Sequence, residues 1–233
     1  MASISSATWQ AIQLLLSGDS DLWEIILISF RVSLIAILLA TPPAILIAFL
    51  LAFGNFPGRR LLIAITNTAL AIPAVVVGLT LYLVLSRSGP VGAWRLLFTQ
   101  TAMIIGQIVL AFPLLVAMAH TALQAADRRA WETARMLGAS KMRAIWTLMY
   151  EVRFGLMSAL LASFGRIIAE VGASMMLGGN ILHYTRNIPT AIALETSKGE
   201  FAQGIALGLV LLLLAFILNL LLHYFQGKGH IAS

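Results

Sequence analysis

The sequence predicts an all-α integral membrane protein with about five transmembrane helices and one long cytoplasmic helical loop. Three observations carry this. The 233 residues are 60% hydrophobic and only 10% charged, where a soluble domain carries about 25% charged residues. Five apolar runs reach the ~20 residues needed to cross hydrocarbon. One polar passage, Gln124 to Phe154, holds six of the fifteen Lys and Arg residues and separates two of those runs.

In chain order, residues 1–22 read as an extracytoplasmic interfacial segment, with Trp9, Ile12, Leu15 and Leu16 along one side of a short helix. The transmembrane domain covers 23–227 and a cytoplasmic tail 228–233. The first span, about Trp23 to Phe53, contains Arg31, which is expected to snorkel or to pair with Glu24. It also contains Pro42 and Pro43, which remove backbone donors and kink a helix. A basic turn, Gly54 to Arg60, leads to the second span, about Leu61 to Leu85, with Pro73 and Gly78 inside it. After a loop at Ser86 to Arg95 the third span runs from about Leu96 to Leu123 and holds Gln107 and Pro113. The fourth span is expected at Gly155 to Met175, followed by a Gly- and Thr-rich stretch to Glu200, and the fifth at Phe201 to Phe225. The four intramembrane prolines are expected to shape a cavity.

The polar loop, 124–154, has a helical pattern. Trp131, Ala134 and Leu137, then Met142, Ile145, Trp146 and Met149, recur at three- and four-residue steps. Gly138 falls between the two runs, where a left-handed helix end needs a glycine. Two short amphipathic helices on the inner membrane face follow, with an apolar stripe that a cytoplasmic partner must cover. Lys and Arg are retained on the cytoplasmic side. With this loop inside, inner segments carry nine of them and outer loops four, which predicts the N-terminus outside and the C-terminus inside. The net charge of +6 thus reflects topology, not nucleic acid, because no basic groove with interleaved aromatics exists. Zero Cys excludes disulfides and thiol chemistry, and the four His are too scattered to suggest a metal site. The first apolar run, Ala11 to Leu16, is short and lacks a basic flank, so direct insertion without a signal peptide is expected.

Glu132-Thr133-Ala134, followed by Leu137-Gly138-Ala139-Ser140, resembles the E-A-A-x-x-x-G loop of bacterial ABC importer permeases. In that family the loop forms a coupling helix that docks on an ATPase subunit. The resemblance implies a type I ABC importer permease fold and assigns Glu132, Thr133, Ala134, Leu137, Gly138, Ala139 and Ser140 to ATPase coupling. It also implies a non-catalytic chain that binds no cofactor itself, with ATP and Mg on a separate ATPase. No G-x-x-x-x-G-K-[ST] loop stands in the sequence. Partners implied are a second copy, a dimer of ATPase subunits, an extracytoplasmic oxyanion-binding protein and membrane lipid, in a bacterial or archaeal plasma membrane. The run Tyr150-Glu151-Val152-Arg153-Phe154 is similar to the E-A-R-F-like sequence of the tungstate-type branch. So are the runs from Arg166 to Ala173, Gly178 to Ile181, Thr185-Arg186 and Thr190 to Gly199. Leu182-His183-Tyr184 departs from the small Gly-containing turn of that branch.

Arg166 and Glu170 are four apart and are expected to form an intramembrane ion pair, with direct contact to a passing anion as the rival role. The pathway and gate are expected along Glu170, Gly172, Ser174, Gly178, Gly179 and Asn180. Thr185 and Thr190 are expected to add donors that an oxyanion can use. Gln107 is a further candidate. The expected cargo is tungstate, with molybdate, sulfate or vanadate as alternatives. An intramembrane enzyme or a non-transporting scaffold is the reading from another class.

Overall fold

The computed structural model describes residues 9, 12–13, 16–126, 133 and 136–230. Among these residues the chain is helical with no strand. The helices are α1 (Ser20–Phe53), α2 (Arg59–Ala69), α3 (Ala74–Leu85), α4 (Gln100–Gln124), α5 (Lys141–Glu151), α6 (Arg153–Ile168), α7 (Gly172–Gly178), α8 (Ile188–Lys198) and α9 (Phe201–His230), with a 3-10 turn at Gly92–Trp94. Three of them, α1, α4 and the 201–225 part of α9, are long and apolar enough to cross a membrane. Two broken pairs, α2 with α3 and α5 with α6, raise the possible number to five. Exposed Leu212, Leu213, Phe216 and Leu220 on α9 form a surface suited to lipid.

Three expected elements differ. The second span is not one helix: it stops after Ala69 and restarts at Ala74, with Pro73 extended at φ −61°, ψ 134°. Proline disfavours helix in the residue before it. The fourth span ends at Ile168 and resumes as the short helix α7. There the Glu170 carboxylate accepts the Gly172 amide at 2.9 Å, satisfying an amide that the break sets free. The Gly- and Thr-rich stretch before Glu200, to which the sequence reading assigns no helix, contains helix α8. Its signals are a capping box between Asn187 and Thr190, Pro189 in the first turn and Gly199 in a left-handed conformation after the last turn.

The helices form two compact units. One comprises residues 1–39, 72–111 and 164–217, and the other 40–71, 112–163 and 218–233. Three of the five boundaries fall within three residues of a proline, at Pro42, Pro73 and Pro113. In the first unit, Leu22, Ile25 and Ile26 of α1 pack with Ile188 and Ala191 of α8 and with Ala206 and Leu207 of α9. Ser29 stitches this cluster together. Its hydroxyl donates to Ile25 O at 3.0 Å and accepts the Ile188 amide at 2.6 Å. Helix α7 packs on α3 so closely that a Cβ on Gly78 would stand 2.9 Å from the Ala173 Cα. In the second unit, Ala48 and Ala52 of α1 meet Ala119 and Leu123 of α4 and Leu148 and Leu156 of the α5–α6 pair. Arg59 closes the α1–α2 turn, donating to Leu51 O at 2.6 Å and Ala52 O at 3.3 Å. These carbonyls end α1 and have no helical partner, so a guanidinium suits them. Pro113 does border a cavity, of about 440 Å³, with Leu50, Phe56, Leu62 and Ile65 among its apolar walls.

Candidate functional site

The polar loop is built as a capped helix preceded by a tight turn. Of the expected coupling residues, Thr133, Leu137, Gly138, Ala139 and Ser140 are described, whereas Glu132 and Ala134 lie outside the described residues. The Leu137 amide donates to Thr133 O at 3.0 Å, which closes the last helical turn. Gly138 follows at φ 84°, the left-handed conformation expected of it. Ser140 then starts α5 as its N-cap, with its hydroxyl accepting the Arg143 amide at 3.4 Å. Ala144 and Leu148 turn inward and are buried. Met136 and Leu137 are 89% and 82% exposed, and Met142, Trp146 and Tyr150 are exposed along the same helix. Exposed apolar surface of this extent on a polar segment marks a candidate interaction site. The expected stripe of Met142, Ile145, Trp146 and Met149 is therefore divided: Met142 and Trp146 are exposed, and Ile145 and Met149 are half-buried.

The second candidate region is the α6–α7 break and the loop after it. Arg166 Nη1 donates to Glu170 Oε2 at 3.2 Å, so the expected pair forms, although the helix ends between them. The Glu170 side chain is 9% exposed and that of Arg166 53%. One carboxylate thus meets both an arginine and the first amide of α7. Gln107 on α4 reaches the same break, donating to Ile167 O at 3.3 Å. Ser174 is buried on α7, and its hydroxyl has no hydrogen-bond partner among the described residues. Gly172 stands against Val75, Gly178 against Met103 and Gly179 against Phe98, each too close for a Cβ without movement.

The loop from Gly179 to Asn187 is bonded to itself. Thr185 donates its hydroxyl proton to Gly178 O at 2.6 Å and accepts the Ile181 amide at 2.9 Å. Thr190 donates to Asn187 Oδ1 at 2.8 Å and accepts the Asn187 amide at 3.1 Å. Both threonines are 0% exposed, so these two donors are committed to the loop in this conformation. Asn180 is half-buried at φ 52°. Where a glycine-containing turn was expected, His183 itself takes a left-handed φ of 59°. Its Nδ1 lies 2.6 Å from Glu24 Oε2, and that hydrogen bond holds the imidazole pKa above its ordinary value. Sequence reasoning missed this pair. The sequence offers Glu24 only as one of two outcomes for Arg31, pairing or snorkelling, and nothing in the periodicity links positions as far apart as 24 and 183.

Among the described residues no group of three or more His, Cys, Asp or Glu could hold a metal ion.

Comparison with known proteins agrees with this fold. The family described as "Binding-protein-dependent transport system inner membrane component" matches residues 23–228. The chain is 42% identical over 214 residues to the tungstate uptake system permease protein TupB of Campylobacter jejuni, covering 92% of this chain and 90% of that one. It is 36% identical to the TupB of Peptoclostridium acidaminophilum, covering 98% and 100%. The molybdenum transport system permease protein ModB of Escherichia coli is 31% identical, with coverage of 83% and 91%. Among solved structures, a chain of the MetNI methionine ABC transporter in an inward-facing conformation superposes with a TM-score of 0.61 at 18% identity, over all of both chains.

Proposed function

Given that this chain belongs to the family of inner membrane components of binding-protein-dependent transport systems, we propose that it is the permease subunit of an ATP-driven importer for tungstate. The observation that carries the substrate is its likeness, over 90% or more of both chains, to two tungstate uptake permeases. Two copies form the pathway, because up to five spans supply only half of the barrel that such systems use. The N-terminus lies outside and the C-terminus inside, in keeping with the distribution of Lys and Arg. An extracytoplasmic binding protein delivers the anion and carries most of the selectivity.

ATP hydrolysis belongs to a separate ATPase dimer that holds ATP and Mg and docks on the segment around Gly138. The support is the bare apolar surface of Met136, Leu137, Met142 and Trp146. Closure of the ATPase dimer draws these segments together and opens the pathway outward, and hydrolysis resets it. The pathway wall is the run from Glu170 through Gly172, Ser174, Gly178 and Gly179 to Asn180. Thr185 and Thr190 act by holding the adjoining loop.

The test is metal accumulation by cells that express the chain with its cognate ATPase and binding protein, given equal tungstate and molybdate. Preferential tungsten uptake that disappears without this chain is the expected result. Molybdenum preference would move the substrate to molybdate, the second reading, which the likeness to ModB favours.

A further inference from the structure

The structure leaves one intramembrane charge unexplained. Arg31 sits about 16 Å along α1 from its first residue, within the stretch long and apolar enough to cross a membrane. Among the described residues its guanidinium has no acidic or hydrogen-bonding partner. The obvious counter-ion, Glu24, lies two turns away on the same helix face but gives its carboxylate to His183 instead. Arg31 is exposed on α1, and an ionisable residue within an apolar span is a candidate for an ion pathway.

Arg31 also borders a pocket of about 470 Å³ in the first unit, whose other polar walls are Glu24, Gln100, Thr101, His183 and Tyr184. Two of these contribute neutral donors. Thr101 is exposed, and its hydroxyl makes no hydrogen bond among the described residues. Gln100 is held in place by donating from Nε2 to Tyr184 O at 2.7 Å, and that amide nitrogen carries a second proton. The one acid in the pocket is already partnered, at 2.6 Å, by a histidine.

We propose that this pocket is a transit site for a tetrahedral oxyanion, with Arg31 as its fixed charge and Thr101 and Gln100 as neutral donors. The proposal rests on the permease reading above and adds a place on this chain where the anion binds. A guanidinium offers two parallel N–H groups to two oxygens of such an anion. A single arginine with neutral donors attracts the anion without trapping it, as conduction requires. The volume leaves room for hydration water, which further favours release. His183 is then a positioning residue: by engaging Glu24 it keeps that carboxylate from pairing with Arg31 and closing the site to anions.

The experiment uses the full-length chain in lipid nanodiscs with sodium tungstate as probe, bound tungsten being measured by mass spectrometry after equilibrium dialysis. The wild type is expected to bind saturably. Arg31→Gln should weaken binding by about tenfold or more. Thr101→Val, a milder change at another lining residue, should weaken it several-fold with unchanged thermal unfolding. Wild-type affinity in both variants, or no saturable binding by the wild type, would overturn the site. Cellular uptake measured in parallel separates this from the permease reading. Normal tungsten uptake by Arg31→Gln would remove the site and leave that reading intact. Saturable tungstate binding that Arg31→Gln weakens, without any tungsten uptake by cells carrying the wild type, would remove the tungstate-importer assignment and leave the site.

Discussion

His183 Nδ1 lies 2.6 Å from Glu24 Oε2, which ties the loop before α8 to the second turn of α1. The contact holds the imidazole pKa above its ordinary value, chiefly through the hydrogen bond itself. Glu24 and Asp21 favour the charged ring electrostatically, and Arg186 opposes it; Arg31 borders the same pocket. A raised folded-state pKa contributes stability that is fully present below the ordinary histidine value of about 6.5. That contribution disappears as pH rises through the raised value. The difference in melting temperature between wild type and His183→Gln should therefore be widest below the ordinary histidine value of about 6.5 and narrow as pH rises through the raised value. A difference that does not vary with pH would contradict the charged contact.

Gly138 stands at φ 84°, where a side chain costs about 1–2 kcal/mol, and among the described residues no atom lies within 4 Å of the site of an added Cβ. Gly138→Asp should thus strain the turn locally and place a charge in the proposed ATPase contact. Uptake is expected to fall at least about tenfold while the amount in the membrane is unchanged. Normal uptake by a well-expressed variant would argue against the coupling role.

A Cβ on Gly78 would come within 2.9 Å of the Ala173 backbone, which cannot rotate away as a side chain would. Gly78→Ala should therefore push α3 from α7 and cost about 1–3 kcal/mol. A lowered melting temperature in detergent is the readout, and an unchanged one would mean that the two helices yield easily.

Asn187 caps α8 through Oδ1, 3.1 Å from the Thr190 amide. Asn187→Ala should cost about 1 kcal/mol, and Thr190→Val should behave similarly. If these groups hold the loop, both variants will melt earlier while the concentration of anion giving half-maximal uptake stays the same. A large shift in that concentration would return Thr190 to the pathway wall.

Much of this architecture was legible because membrane spans announce themselves. The runs that became α1, α4 and α9 are continuous and apolar, and the Gly138 turn and Ser140 cap follow from local chemistry. The break at Glu170 was not legible, since the apolar sequence from Val171 to Leu177 reads as a continuation of α6. Only the carboxylate's bond to the Gly172 amide reveals a new helix start. Helix α8 was passed over because its 11 residues are too short and mixed to resemble a span, although Asn187, Pro189 and Gly199 punctuate it. The site residues divided for a similar reason. Arg166 and Glu170 are near in sequence, so their pairing could be read directly. The fate of Glu24 depends on a loop more than 150 residues away, and with it the isolation of Arg31.

The most direct measurement is ATP-dependent tungstate transport into proteoliposomes containing the purified chain with its cognate ATPase, and binding protein supplied on the extracytoplasmic side. Tungsten should accumulate inside only with ATP, binding protein and this chain present, and Gly138→Asp should abolish accumulation. Equal tungsten accumulation in vesicles lacking the chain, or none in the complete system despite ATP hydrolysis stimulated by the binding protein, would contradict its role as a tungstate permease.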